Sequence, residues 1–292
     1  MYFKRGIDGV CVAIILVRYA EIGLKSAPVR RRFENTLKDN MLNMLMQDGV
    51  EALVTNKGAR FYVEATDIDA AVKSVRKVFG IASLSVAEVC SSKMEDMCQI
   101  AAEYSRSRLA TGQSFAVKAR REGSQGYTSL DMGREIGSAI FLANEDKGVK
   151  VDLTDPDVTF YVEARDNRAF VFLDYIKCHA GLPVGTQGKV IAMFDGSERS
   201  LVSAWLMMKR GCRVLIDGDG DFTPLSQYDT YVRAYDPQKD DEKRVLGIVM
   251  GSDIGEIGDV DVSQYELPVF FPTVGMTDEE VHGLAEMIVS GL

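Results

Sequence analysis

The stretch "VIAMFDGSERSLVSAWLMMKRG" (190–211) reads as a buried strand, a short polar loop and a helix. A strand-to-helix turn aims several free backbone N–H groups at one spot, and the helix dipole favours an anion there. Gly196 would let a phosphate approach the backbone, and Ser197 and Ser200 add hydroxyl donors. Arg199 adds a cation, while Met193 and Phe194 lead from the strand into the loop. Asp195 and Glu198 oppose that chemistry. A carboxylate beside a phosphate costs about 1–4 kcal/mol at intermediate dielectric unless Mg2+ bridges them. The same side chains can satisfy the orphan N–H groups of the helix. The loop thus supports two readings, a phosphate cradle or a self-capped helix start. Gly251 in "MGSDIGEIG" is a second candidate, following another buried strand.

A second chemistry lies in "FAVKARRE", with Lys118 and Arg120 alternating onto one strand face and Arg121 beginning the next loop. Arg106 and Arg108 precede it, and Gln125, Tyr127, Thr128 and Ser129 follow, offering hydrogen bonds or stacking to an RNA. A solvated edge strand is the competing reading. Arg18, Lys25 and Arg30–Arg31–Arg32 make another basic patch, ranked lower because a charge run usually marks a solvated helix face.

Other constellations are weaker. "DGDGD" (217–221) begins like an EF-hand loop but has Phe222 and Tyr228 where glycine and glutamate belong, so it reads as a solvated acidic loop. Two histidines, His179 and His282, make a histidine metal site improbable, and no metal site is expected. Cys11, Cys90, Cys98, Cys178 and Cys212 contain no C-x-x-C pair and fit a reducing, cytoplasmic compartment. Cys212 starts a buried strand, and Cys178–His179 is adjacent on an extended segment, where neighbours point opposite ways. No apolar run approaches a membrane span; "VCVAIILV" is of strand length, and we reject a signal peptide there.

The elements that position these groups divide the chain three ways. Residues 1–80 (1–10 as a possible tail) read as strand, helix after "SAP", two strands around "NKG" and a helix ending at Gly80, a ferredoxin-like pattern. Ser26 is the expected cap of the first helix, whose apolar face is Phe33, Leu37, Met41, Met44 and Leu45. Residues 81–177 read as α+β, with a helix near Lys93–Leu109, the strand "SFAVKARRE", another helix, and the paired strands "VKVDLTDPDVTFYVEAR" and "RAFVFLDYIK". Residues 178–292 open on a glycine-rich linker, then form a parallel α/β domain with strands "RVLGIVMG" and "LPVFFPTVG". A final helix is capped by Thr277 with Glu280. Net charge is +3 over 1–90, −3 over 91–175 and −9 over 176–292, so the acid excess lies in the last third and leaves RNA binding open in the rest.

"RYAEIGLKSAPVRRRFENTL", "VDLTDPDVTFYVEAR" and "GLPVGTQGKVIAMF…SAWLMMKRG" resemble the tRNA thiouridine synthetases, also described as thiamine-biosynthesis proteins. The likeness runs in order along nearly the whole chain and thins toward its end. It implies a ferredoxin-like domain, a THUMP RNA-binding domain and a truncated, Rossmann-like pyrophosphatase-loop (PP-loop) domain. In that family ATP, with Mg2+, adenylates a tRNA uridine, and a cysteine persulfide supplies sulfur. The family loop reads S-G-G-x-D-S; here Gly196 and Ser200 match, while Asp195, Ser197 and Arg199 replace a serine, a glycine and the aspartate. The resemblance also implies that the THUMP region meets the tRNA acceptor region. The expectation is a tRNA-binding protein of this type, its ATP-dependent step called into question by the altered loop. One alternative is an active thiolation enzyme served by an external sulfur carrier; another is a nucleotide sensor without RNA.

Overall fold

The apolar run "IILVRY" forms strand β1 (Ile14–Tyr19), buried along its whole length. The computed structural model describes residues 13–19, 21–240 and 244–291; Cys11 and the 1–10 tail lie outside them. The chain forms two compact units, one of 17–84 with 177–292 and one of 1–16 with 85–176.

In the first of these units, α1 (Ala27–Gln47) buries Phe33, Leu37, Met41, Met44 and Leu45, the face its periodicity predicts. Ser26 precedes it but makes no side-chain cap bond, a correction; Pro28 in the first turn sets the entry instead. Strands β2 (Ala52–Asn56) and β3 (Phe61–Ala65) pair antiparallel. Helix α2 (Ile68–Val75) is capped by Asp67 and stops five residues short of the expected Gly80. Gly80 serves the linker, its N–H bonding the Ala180 carbonyl at 2.8 Å.

That linker is a structured segment rather than a flexible tether. Leu182 N–H bonds the Lys209 carbonyl, Gly185 and Gln187 N–H bond the Gly211 carbonyl, and Asn40 from α1 donates to the Val184 carbonyl. Beside it Phe79, His179, Trp205 and Tyr228 pack ring to ring with centroids 5.1–5.9 Å apart.

Beyond the linker come β10 (Lys189–Met193), α5 (Glu198–Lys209), β11 (Arg213–Asp217), β12 (Arg233–Ala234), β13 (Val245–Val249), β14 (Val269–Phe270) and α6 (Asp278–Ser290). The sheet order is β12-β11-β10-β13-β14, every pair parallel. Val190, Ala192, Val214 and Ile216 meet Trp205, Met208, Val281 and Ile288 of α5 and α6. The other face, Ile191, Leu215 and Val245, is packed by Tyr235 and Leu267 from loops. Only Val269 and Phe270 of "LPVFFPTVG" pair into the sheet, so that expected strand is short.

The second unit takes the later part of β4 (Ile81–Ser91), then α3 (Met94–Arg106), β5 (Ser114–Glu122), α4 (Ser129–Ala143), β6 (Lys150–Val151), β7 (Val158–Arg165), β8 (Arg168–Phe172) and the start of β9 (Ile176–Lys177). Strand order is β4-β8-β7-β5-β6. "VKVDLTDPDVTFYVEAR", expected as one strand, splits into β6 and β7. Asp152 turns the chain by accepting from the Thr154 and Asp155 N–H groups, and Asp157 accepts from Ser114. Helices α3 and α4 pack Met97, Ala101, Met132, Ile136 and Ile140 against Phe115, Phe160 and Val162. Among the described residues no helix is long and apolar enough to cross a membrane.

Candidate functional site

In the α/β sheet, β10 pairs with β11 on one side and with β13 on the other. Strand order therefore reverses at β10/β13, the place where parallel sheets open a crevice for ligands beyond their carboxyl ends. A cleft of about 730 Å3 lies there. Met193, Phe194, Ser197, Arg199, Ser200 and Gly251 all line it; Gly196 lines an adjoining hollow with Phe194 and Asp221.

The loops around the cleft touch backbone to backbone. A side chain at Gly251 would place its Cβ 2.5 Å from Ser200 N, so the loop after β13 abuts the first turn of α5. At Gly218 a Cβ would fall 1.9 Å from the Phe194 carbonyl oxygen, so the "DGDGD" segment closes on the β10 loop. These glycines serve close loop packing, whatever else they admit.

The anion-attracting groups are engaged internally. Asp195 accepts from Ser197 N–H at 2.9 Å, and Ser197 Oγ, the N-cap of α5, accepts from Ser200 N–H at 3.2 Å. Ser200 Oγ donates back to the Ser197 carbonyl. Burial works to raise the Asp195 carboxyl, but hydrogen bonds from Ser197 and Ser200 outweigh it and hold the group below the usual range. Arg199 turns to the segment before α6, donating to the Thr273 and Met276 carbonyls at 3.2 and 3.3 Å and to Asp278 at 2.6 Å. Glu198 meets His282 Nδ1 at 3.0 Å, and this contact, with Glu286 nearby, raises the imidazole. The cleft thus shows Asp195, Glu198, Asp217, Glu256 and Asp278, against Arg199, a cation already bonded. Asp278 did not stand out in the sequence, and neither Asp217 of "DGDGD" nor Glu256 of "MGSDIGEIG" could be placed beside Asp195 there, since only the strand order brings their loops together.

Cys178 and Cys212 sit in unreactive surroundings. Burial pushes Cys178 up to about 12, with Arg76 opposing, and also raises Cys212. Burial, with the charges of Lys209 and Arg76, pushes His179 down to about 4, and its ring packs against Phe79, Trp205 and Tyr228. A persulfide carrier needs an accessible, activated thiolate, which neither cysteine offers.

In the other unit, Lys118 and Arg120 stand exposed on one face of β5, with Arg121 exposed beside them. Arg121 donates to the Gly123 carbonyl at 3.0 Å. Gln125 and Tyr127 do local work: Gln125 bonds the Glu122 and Asp166 carbonyls, and Tyr127 the Ser92 carbonyl. Thr128 and Asp131 form the capping box of α4. Arg106 ends α3, and Arg108 lies over the Tyr104 ring at 4.6 Å, its charge felt by Glu88 on β4. The structure gathers Lys118, Arg120 and Arg121 on β5, while Arg106 and Arg108 belong to the end of α3 and the turn after it.

These folds define a THUMP-containing protein carrying a ferredoxin-like domain and a parallel α/β domain. The family model for the ThiI ferredoxin-like domain matches residues 14–85, and that for the THUMP domain matches 91–174. Relatives named probable tRNA sulfurtransferase include that of Methanosarcina mazei, 37% identical over 226 residues, covering 76% of this chain and 55% of the relative. That of Saccharolobus solfataricus is 37% identical over 199 residues, covering 68% and 51%. The chain belongs to this ThiI-type tRNA sulfurtransferase family and spans about half the length of these relatives. Two solved structures share the fold. PH1313 from Pyrococcus horikoshii has a TM-score of 0.78 at 24% identity, covering 94% of this chain and 99% of that one. A 4-thiouridine synthetase, solved with RNA and bound ATP, has 0.76 at 21%, covering 95% and 85%.

Proposed function

We propose that this chain is a cytoplasmic tRNA-binding protein of the sulfurtransferase family, with domains at 1–80, 81–177 and 178–292, whose α/β cleft has lost tight MgATP binding. RNA recognition rests on Lys118, Arg120 and Arg121, exposed together on one strand of the THUMP domain. Strand cations of this kind bind phosphates of the acceptor region and set the register of the complex. A relative solved with RNA supports that partner.

The single observation that carries the nucleotide half of the reading is the bonding of Arg199. The loop cation is 15% exposed at its side chain and holds two carbonyls and Asp278, so it does not face a phosphate. Asp195 and Ser197 already take the Ser197 and Ser200 N–H groups. An incoming triphosphate would displace those bonds and meet five carboxylates. Were MgATP bound, Ser197, Ser200 and Gly251 would line its phosphate site, Asp195 and Glu256 would hold the metal, and the metal would offset the carboxylate charge. Sulfur for any transfer would come from an external carrier, given the raised thiols of Cys178 and Cys212.

Calorimetric titration with MgATP, run beside a filter-binding assay with a tRNA transcript, tests the reading. Submicromolar tRNA binding lost in a Lys118→Glu, Arg120→Glu double variant, with no heat from ATP, is the expected result. Micromolar MgATP binding weakened by Ser200→Ala would replace it with an active adenylating enzyme. ATP binding without tRNA binding would select a nucleotide sensor.

A further inference from the structure

Helix α5 has two ends of opposite electrostatic character. Its N-terminus looks into the acidic cleft. About 16 Å along the helix, its last turn borders a separate cavity of about 540 Å3, within the usual range of about 300–1,000 Å3 for small-ligand sites. The walls of this cavity are apolar and aromatic: Leu206 and Met207 from α5, and Phe270 and Phe271 at β14. Phe270 is 37% exposed, unusual for a large aromatic ring on a strand. Lys209 and Arg210 stand at the rim, opposed by Glu21.

Those cations stand in an acidic stretch of the chain. Residues 176–292 carry 10 Lys and Arg against 19 Asp and Glu. Lys189, Arg199, Arg233 and Lys239 each pair with a carboxylate. Arg210 is exposed and has no ion pair among the described residues, and Lys209 lies over the Trp205 ring at 5.4 Å without one. Unpaired cations beside an exposed aromatic ring complement a ligand with a flat apolar body and an anionic group. A nucleotide has that form: its base stacks on an aromatic side chain and its phosphate meets arginine.

We infer that the cavity at the C-terminal end of α5 binds one unpaired nucleotide of a bound RNA, its base against Phe270 and its phosphate at Arg210 and Lys209. The inference rests on the RNA-binding reading above. It assigns the RNA a contact in the acidic domain, at the point where that domain's own carboxylates leave cations free.

Fluorescence anisotropy with two labelled RNAs, a blunt hairpin and the same hairpin with a single-stranded extension, tests it. Wild type should bind the extended hairpin more tightly than the blunt one. Arg210→Glu and Phe270→Ala should each weaken the extended RNA about tenfold and leave the blunt RNA unchanged. Thermal melting confirms that the variants fold. Because Phe270 also packs near Gly247, Arg210→Glu is the decisive variant should Phe270→Ala melt early. Equal binding of the extended RNA by wild type and Arg210→Glu overturns the inference and leaves RNA binding intact. No binding of either RNA or of tRNA by wild type overturns the RNA-binding reading itself.

Discussion

Two strand–loop–helix turns in this chain, β5 to α4 and β10 to α5, show how alike local geometry can face opposite partners. Both helices are capped by their own side chains, α4 by Thr128 and Asp131, α5 by Asp195 and Ser197. In each, the N–H groups of the N-cap and of the third helical residue are taken internally, those of Thr128 and Asp131 at α4 and of Ser197 and Ser200 at α5. The difference lies in the charges left over. Beside α4, Lys118 and Arg120 remain exposed on the strand. Beside α5, the cation is bonded to carbonyls and carboxylates fill the rim. A turn's shape alone does not select an anion; its unsatisfied charge does.

The largest effect should come from breaking the basic side of this comparison. Lys118→Glu with Arg120→Glu should weaken tRNA about a hundredfold and reduce the slope of log affinity against log salt by about 2, one for each phosphate no longer neutralised. An unchanged slope would show that these residues are solvated surface. Changing Arg199 to alanine should do the reverse. It should leave tRNA affinity alone and destabilise the α/β domain by about 1–3 kcal/mol in urea, since a charged donor to two carbonyls is removed. A variant as stable as wild type but poorer at binding MgATP would restore Arg199 to a phosphate role.

How far the sequence discloses these sites depends on the range of the interaction. Strand β5 lies where "SFAVKARRE" places it, because alternation and the flanking Gly112 and Gly123 are local signals. The α6 capping box, Thr277 with Glu280, is likewise written within four residues. The end of α2 was not legible, because the demand on Gly80 comes from Ala180, a hundred positions on. Arg199 looked like a phosphate ligand because its acceptors, Thr273, Met276 and Asp278, lie 74–79 residues away. Gln125 and Tyr127 looked like RNA ligands for the same reason: the carbonyls of Asp166 and Ser92, which they bond, are remote in the chain.

Asp240 offers a smaller effect of known sign. Hydrogen bonds from Arg233 at 2.8 and 2.6 Å, against some burial, hold its carboxyl near 2, with Lys189 adding its charge. A depressed folded value gives stability that is present above the unfolded carboxylate range and lost as pH falls through it toward 2. Asp240→Asn should therefore be less stable than wild type at pH 7 and equal to it near pH 2. A constant difference across that range would remove the ion pair as the cause.

His282 gives the smallest effect and bears directly on the cleft. Its imidazole is exposed, and the hydrogen bond and charge of Glu198, with Glu286, raise it. A raised folded value gives stability that is complete below the unfolded histidine range and is lost as pH rises through the folded value. Wild type should melt about a degree above His282→Gln at pH 5.5 and at the same temperature at pH 9, as suits an exposed pair. The lost proton also leaves Glu198 without a counter-charge at the cleft wall, where Asp195 and Asp278 already stand. Raising the pH should therefore make the α5 turn more hostile to phosphate, while the β5 strand, whose lysine and arginines keep their charge, holds RNA unchanged. A tRNA affinity that fell with pH in step with the His282 melting difference would show that the two turns are not independent.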